Sequence, residues 1–209
     1  MRSFITSIII IIIAVLCLVL AAQQSGVPAA SATQGRYNAQ VDSTQRKFDY
    51  IRQNGAKKNP DPKPTIINQN ELNTWLASPN ADLPKGVEKL QLSGDSGRIH
   101  AVATVDFDKI TAGNTSRNPL LMLFSGTHQV EADARGEGAS GIGKVHITSV
   151  SIDAVGVPKM GMQYFVDRYI KPKYPNLGID SRFNLPYKIN TAEVGQQQLT
   201  IVQNSGTAE

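Results

Sequence analysis

Alternation of apolar and polar positions is the strongest pattern in the chain. In residues 97–110, GRIHAVATVDFDKI, the side chains Ile99, Ala101, Ala103, Val105 and Phe107 fall on one face of an extended strand. His100, Thr104, Asp106 and Asp108 fall on the other. The same two-residue period continues in 127–140, where Val130, Ala132 and Ala134 face inward, and in 143–155, with glycines 136, 138, 141 and 143 around the turn between them. Residues 87–92, VEKLQL, predict a further strand joined to 97–110 by the turn composition SGDSG. Residues 181–194 and 195–203 predict a terminal hairpin turning near Gly195. A sheet alternating this cleanly has one face covered and one wet.

Helical periodicity marks three stretches. In 68–77, NQNELNTWLA, Asn68 is placed as N-cap and Glu71 at the third helical position, while Leu72, Trp75 and Leu76 share one face. In 156–175, a helix starting at Pro158 carries the stripe Met162, Phe165, Val166 and Tyr169, with Met160 and Tyr164 alongside. In 37–53, Tyr37, Val41, Phe48 and Ile51 recur near a helical period, and Asn54-Gly55 supplies a stop. So few apolar side chains predict a stalk or lid rather than a core element. The prolines of AKKNPDPKP, residues 56–64, then predict an extended, semi-rigid spacer. Together these patterns give an α+β class: a curved, mostly antiparallel sheet of about six strands with two or three helices packed on one face.

The first 32 residues stand apart. Arg2 is their only charge, the apolar run 4–22 is close to a membrane span in length, and Ala30-Ser31-Ala32 has the small-x-small form of a cleavage site. The expected organisation is a signal peptide or N-terminal membrane anchor over 1–32, a basic helical stalk and Pro-rich linker over 33–64, an α+β domain over 65–204 and a disordered tail over 205–209. Either fate of the first segment places the remainder outside the cytoplasm, in the periplasm or on the outer face of the inner membrane. Cys17, the sole cysteine, lies in that segment, so the exported domain folds without disulfides and needs a real hydrophobic core.

Net charge is +4, from 21 basic and 17 acidic residues. Seven basic and three acidic residues fall in 33–64, which leaves 65–209 at −1 (13 basic, 14 acidic). The positive charge thus belongs to the segment beside the membrane, where anionic headgroups attract it. A nucleic-acid partner is not expected, because the folded domain lacks the basic balance that such a partner needs.

The order TIINQNELNTWLA, VEKLQL, RIHAVATVDFD, GIGKVHITSVSIDAVGVP and a closing LPYKI strand, over roughly 65–190, resembles the YpmS-like family of bacterial membrane-tethered extracytoplasmic proteins. More distantly it is similar to LmeA-type phospholipid-binding envelope proteins and tubular lipid-binding domains. The resemblance rests on short pieces such as Glu71-Leu72-Asn73 and Val155-Gly156-Val157-Pro158. It implies the topology and, at a distance, lipid binding; it carries no catalytic motif.

Residue patterns that carry chemistry are few. His100, His128 and His146 fall on three strands, with His100 and His146 toward water and His128 inward, so they do not converge as zinc ligands. Asp106 and Asp108 share a strand face without a second, differently placed acid or base. Ser125-Gly126 lacks a nucleophile elbow, and GEGASGIGK reads as a hairpin rather than a phosphate loop. No catalytic residue, metal or cofactor is therefore expected. Apolar surface remains. Trp75, Leu76, Leu120, Leu123, Phe124, Met160, Met162, Phe165 and Tyr169 are the candidate contacts for a lipid or other apolar ligand between sheet and helices. The expected partners are membrane lipid and, as the alternative, another envelope protein bound by a tethered scaffold or assembly factor.

Overall fold

The computed structural model describes residues 32–111, 125–167, 171 and 177–204. The apolar run 4–22 and the tail 205–209 lie outside them. In chain order the elements are α1 (Ala32–Ala56), β1 (Thr65–Asn68), α2 (Gln69–Leu76), β2 (Val87–Asp95), β3 (Arg98–Asp106), α3 (Phe107–Thr111), β4 (Thr127–Ala139), β5 (Ile142–Ile152), β6 (Val155–Gly156), α4 (Lys159–Phe165), β7 (Asp180–Asn184), β8 (Ile189–Gly195) and β9 (Gln198–Gln203). The α+β class therefore holds, with nine strands and four helices among the described residues rather than about six and two or three. Part of the difference is the stretch 181–194. The predicted LPYKI strand is instead mostly a turn, with Tyr187 and Lys188 both at φ 54°, so β7 and β8 are separate strands.

Every strand pairing is antiparallel. The strands run β1-β9-β8-β4-β3-β2, and β5 pairs with β4, β6 and β7. Strand β4 extends past the end of β3, and its Gly138 meets Ala192 of β8, which joins the β8-β9-β1 group to the rest. Only a glycine fits there: a Cβ on Gly138 would lie 2.8 Å from the Cβ of Ala192 and 2.9 Å from its backbone nitrogen. The hairpins fall where expected, Ser140-Gly141 turning β4 into β5 with positive φ at both residues.

Alternation resolves as the sequence predicts. Ala101, Ala103 and Val105 of β3, Val130, Ala132 and Ala134 of β4, and Val145 and Ile147 of β5 are buried on one face. The small side chains in these rows are matched by bulky ones in the same core, namely Phe48, Trp75, Phe107, Met162 and Val166. Burying a large apolar side chain contributes roughly 1.5–3 kcal/mol, and this shared core has no disulfide to assist it.

Three expectations are corrected. Helix α1 is not a stalk or lid: Val41, Thr44, Phe48, Ile51 and Asn54 form a buried stripe of it, and the apolar members belong to the same core as the sheet. The stretch after α1 is not a free spacer. Pro60 is buried, and the buried Asn54 amide donates to the Asp61 carbonyl (2.8 Å) and to Gln203 Oε1 (3.0 Å) while accepting from the Asp61 N–H (2.9 Å). Gln203 in turn donates to the carbonyls of Ile51 and Tyr187, both at 2.7 Å, so one polar node fastens the end of α1, the proline segment and β9. Finally, β3 stops at Asp106, whose carboxylate accepts the Lys109 N–H (2.9 Å) and so starts α3. Asp106 and Asp108 therefore do not share a strand face.

Candidate functional site

Helix α2 begins as its sequence predicts. Asn68 is the N-cap, and the Glu71 carboxylate accepts hydrogen bonds from the Asn68 backbone N–H (3.3 Å) and side-chain amide (3.1 Å). Lys47 of α1 holds the same carboxylate at 2.6 Å. From α2, Asn73 donates to the Leu92 carbonyl and accepts the Leu92 N–H, both at 2.8 Å, and Gln69 accepts the Gly94 N–H at 3.0 Å. Two amide side chains one helical turn apart thus occupy backbone groups along β2, the last strand of its side of the sheet.

Trp75 is 3% exposed, as is Leu76. Its ring meets Phe48 edge-on with centroids 5.0 Å apart, and its Nε1–H donates to Gln45 Oε1 at 3.0 Å. Both the ring and its one polar handle are satisfied by α1. Met162 is buried with Val166 one turn on, as the stripe predicts, whereas Met160 is 85% exposed. Leu120, Leu123, Phe124 and Tyr169 lie outside the described residues, as does the side chain of Phe165. The four candidate side chains that are described therefore do not line one surface. Trp75, Leu76 and Met162 face the core, and Met160 faces solvent.

Exposed apolar surface is concentrated elsewhere than in the core. Among the described residues the large exposed hydrophobic side chains are Ile66, Val155, Met160 and Tyr164, and three of these four fall within ten residues on β6 and α4. Val155 is 71% exposed and Tyr164 49%. The hairpin that carries Val155 turns through Asp153 (φ 48°) and Ala154 (φ 63°), neither a glycine. Asp153 is held in that conformation by the Gln129 N–H (2.9 Å) and by His128 Nδ1 (2.5 Å).

The three histidines keep their predicted directions, and each has an aspartate partner: His100 with Asp133 (2.8 Å), His128 with Asp153, and His146 with Asp180 (2.5 Å). His128 packs edge-on against Phe107, centroids 5.5 Å apart, and its Nε2 faces the Ser125 carbonyl at 3.0 Å. Both of its ring nitrogens meet acceptors. The Asp153 carboxylate holds the imidazolium above its ordinary pKa, with the Ser125 carbonyl adding to this against the opposing pull of burial. Reciprocally, His128 and the Gln129 N–H hold Asp153 below the usual carboxylate range.

Ser149, Asp133 and His100 form a chain, but in an order unsuited to nucleophilic catalysis. Ser149 Oγ donates to Asp133 Oδ2 at 2.6 Å, and His100 reaches Oδ1 of the same carboxylate. The histidine is not next to the hydroxyl, so no imidazole accepts the serine proton. Asp133 is held below the usual carboxylate range by Ser149 first and His100 second.

Two open clefts of about 640 and 710 Å3 lie on the wet side of the sheet, flanking Arg98 and Arg135, which line both. Sequence reasoning assigned no role to this face, because the rows that build it depend on strand register. Arg98 of β3 lies opposite Arg135 of β4, which lies opposite His146 of β5, which lies opposite Asp180 of β7. Comparisons with known proteins leave the chain by itself: no family model matches it, and neither does a curated protein or a solved structure.

Proposed function

We propose that this is a non-enzymatic, membrane-associated protein of the cell envelope that contacts lipid, or another apolar ligand, through the β6–α4 segment. The observation that carries this reading is the exposure of Val155, Met160 and Tyr164 together, where among the described residues the one other large exposed hydrophobic side chain is Ile66. Lys159 stands among them, also exposed, and a cation beside apolar and aromatic side chains suits the headgroup boundary of a bilayer. The apolar run 4–22 at the start of the chain supplies the second support, since as an anchor or an export signal it delivers the domain to a membrane surface. The sequence resemblance to membrane-tethered YpmS-like proteins agrees with the membrane association, and the more distant one to lipid-binding envelope domains with the lipid contact. Relative to the sequence expectation, the ligand contacts move outward: Trp75 and Leu76 support the core behind the surface, and Met160 is the candidate that meets the ligand.

A photo-crosslinking amino acid placed at 155, 160 or 164 of the full chain, in membranes of the expressing cell, tests this. Lipid adducts at these positions and none from a control at Lys63 are the expected result. A discrete protein adduct would favour the scaffold or assembly-factor alternative, and the absence of any adduct would refute both surface readings.

A further inference from the structure

The wet face of the sheet carries an arrangement that its fold does not require. Arg98 and Arg135 stand directly opposite each other across β3 and β4, and Lys144 and Arg182 stand directly opposite across β5 and β7. All four line the same 640 Å3 cleft. Like charges opposite each other in an antiparallel pair destabilise it, because their Cβ atoms are only about 4.5–5.5 Å apart. Two carboxylates share the cleft, and each is already engaged: Glu137 by Lys144 at 2.9 Å and Asp180 by His146 at 2.5 Å. Nearby Asp95, opposite Arg98, accepts the Ser96 hydroxyl at 2.8 Å. Among the described residues, Arg98, Arg135 and Arg182 have no carboxylate within ion-pair distance. Three guanidinium groups therefore line one open cleft whose two carboxylates are engaged by Lys144 and His146 instead.

We infer that this cleft binds a phosphate-bearing ligand, with Arg98 and Arg135 gripping the phosphate oxygens across the strand pair and Arg182 closing the far side. Guanidinium forks match the several oxygens of a phosphate group, which satisfies more than one arginine at once where a carboxylate offers only two oxygens. Binding removes the cross-strand repulsion, so the ligand also stabilises the sheet. The inference stands apart from the apolar β6–α4 surface and does not need it.

Two sources share this chemistry, free phosphate and a phospholipid headgroup, and one titration separates them. The full chain in a neutral detergent at low ionic strength is titrated calorimetrically with inorganic phosphate and, separately, with glycerol phosphate. Saturable binding is expected for both, with glycerol phosphate tighter if the headgroup is the ligand and no tighter if phosphate alone is recognised. Arg135→Gln and Arg98→Gln should each weaken binding by about tenfold or more, and Lys63→Gln should leave it unchanged. Without ligand, the two arginine variants should melt at the same temperature as the parent or higher, because repulsion is relieved. The inference is overturned if neither compound binds saturably, if the arginine variants bind as the parent does, or if they melt lower in the absence of ligand.

Discussion

His128 shows how a single side chain can be read in part from its neighbours in sequence and in part only from its neighbours in space. Its parity with Val130 places it toward the inner side of β4, and it lies there against Phe107. Its partner Asp153 is 25 residues away and reaches it only because β5 returns beside β4 and turns at 153–154. His100 and His146 likewise find aspartates 33 and 34 residues distant. Alternation supplies direction, whereas register supplies the partner, and register is absent from one sequence. A raised histidine contributes stability that is complete below its unfolded pKa of about 6.5 and is lost as pH rises through the folded value. The lowered Asp153 contributes above its unfolded value of about 3.9 and is lost as pH falls through the folded one. The melting temperature should therefore decline as pH is raised from about 6.5 toward alkaline values, in proportion to the loss of this pair. His128→Gln should flatten that decline, measured by circular dichroism melts across the range; an unchanged pH profile would show the pair to be without weight. Trp75, by contrast, was offered by the sequence as a ligand contact and lies in the core, although the helical face that it shares with Leu72 and Leu76 already carried the signal for burial.

At the scale of elements, α2, α4 and the hairpins were legible because their signals are local: a cap, an i,i+4 stripe, a glycine in a turn. Helix α1 was legible as a helix but not as core. Its buried stripe contains Thr44 and Asn54, so a count of apolar side chains underestimates the face that is covered. Thr44 Oγ1 donates within α1 to Gln40 and across to the Glu71 carbonyl, and Asn54 anchors the proline segment, which is how polar residues come to occupy core positions. Gly55 gives the sharpest test. In an ordinary helix, replacing glycine with alanine stabilises by about 1 kcal/mol. Here a Cβ would sit 2.2 Å from the Tyr187 carbonyl oxygen, because the end of α1 packs directly on the turn before β8. Gly55→Ala should instead destabilise by about 1–3 kcal/mol, the scale of overpacking a filled space. Chemical denaturation measures this; a stabilised variant would mean that α1 is not docked there.

For the molecule as a whole, the α+β class was legible from the alternation of long strands and the three periodic helices. What was not legible is how α1, the proline segment and β9 close on one another, since those contacts join residues about 150 apart, as in Asn54 with Gln203. The same limit hid the arginine cleft, which four strands assemble. A molecule built this way has two dissimilar surfaces, a charged sheet face and an apolar projection at β6 and α4. The proposed contact of that segment with a bilayer can be measured directly. The full chain, with Cys17 replaced by serine, would be reconstituted in liposomes with a nitroxide spin label on cysteine at position 160 or, as a control, at the exposed position 193, outside both clefts. Accessibility to oxygen, which concentrates in lipid, is compared with accessibility to a polar nickel complex, which stays in water. The label at 160 should favour oxygen, and the label at 193 should favour the nickel complex. Equal preference for the nickel complex at both positions would place the β6–α4 segment in water and contradict its contact with lipid.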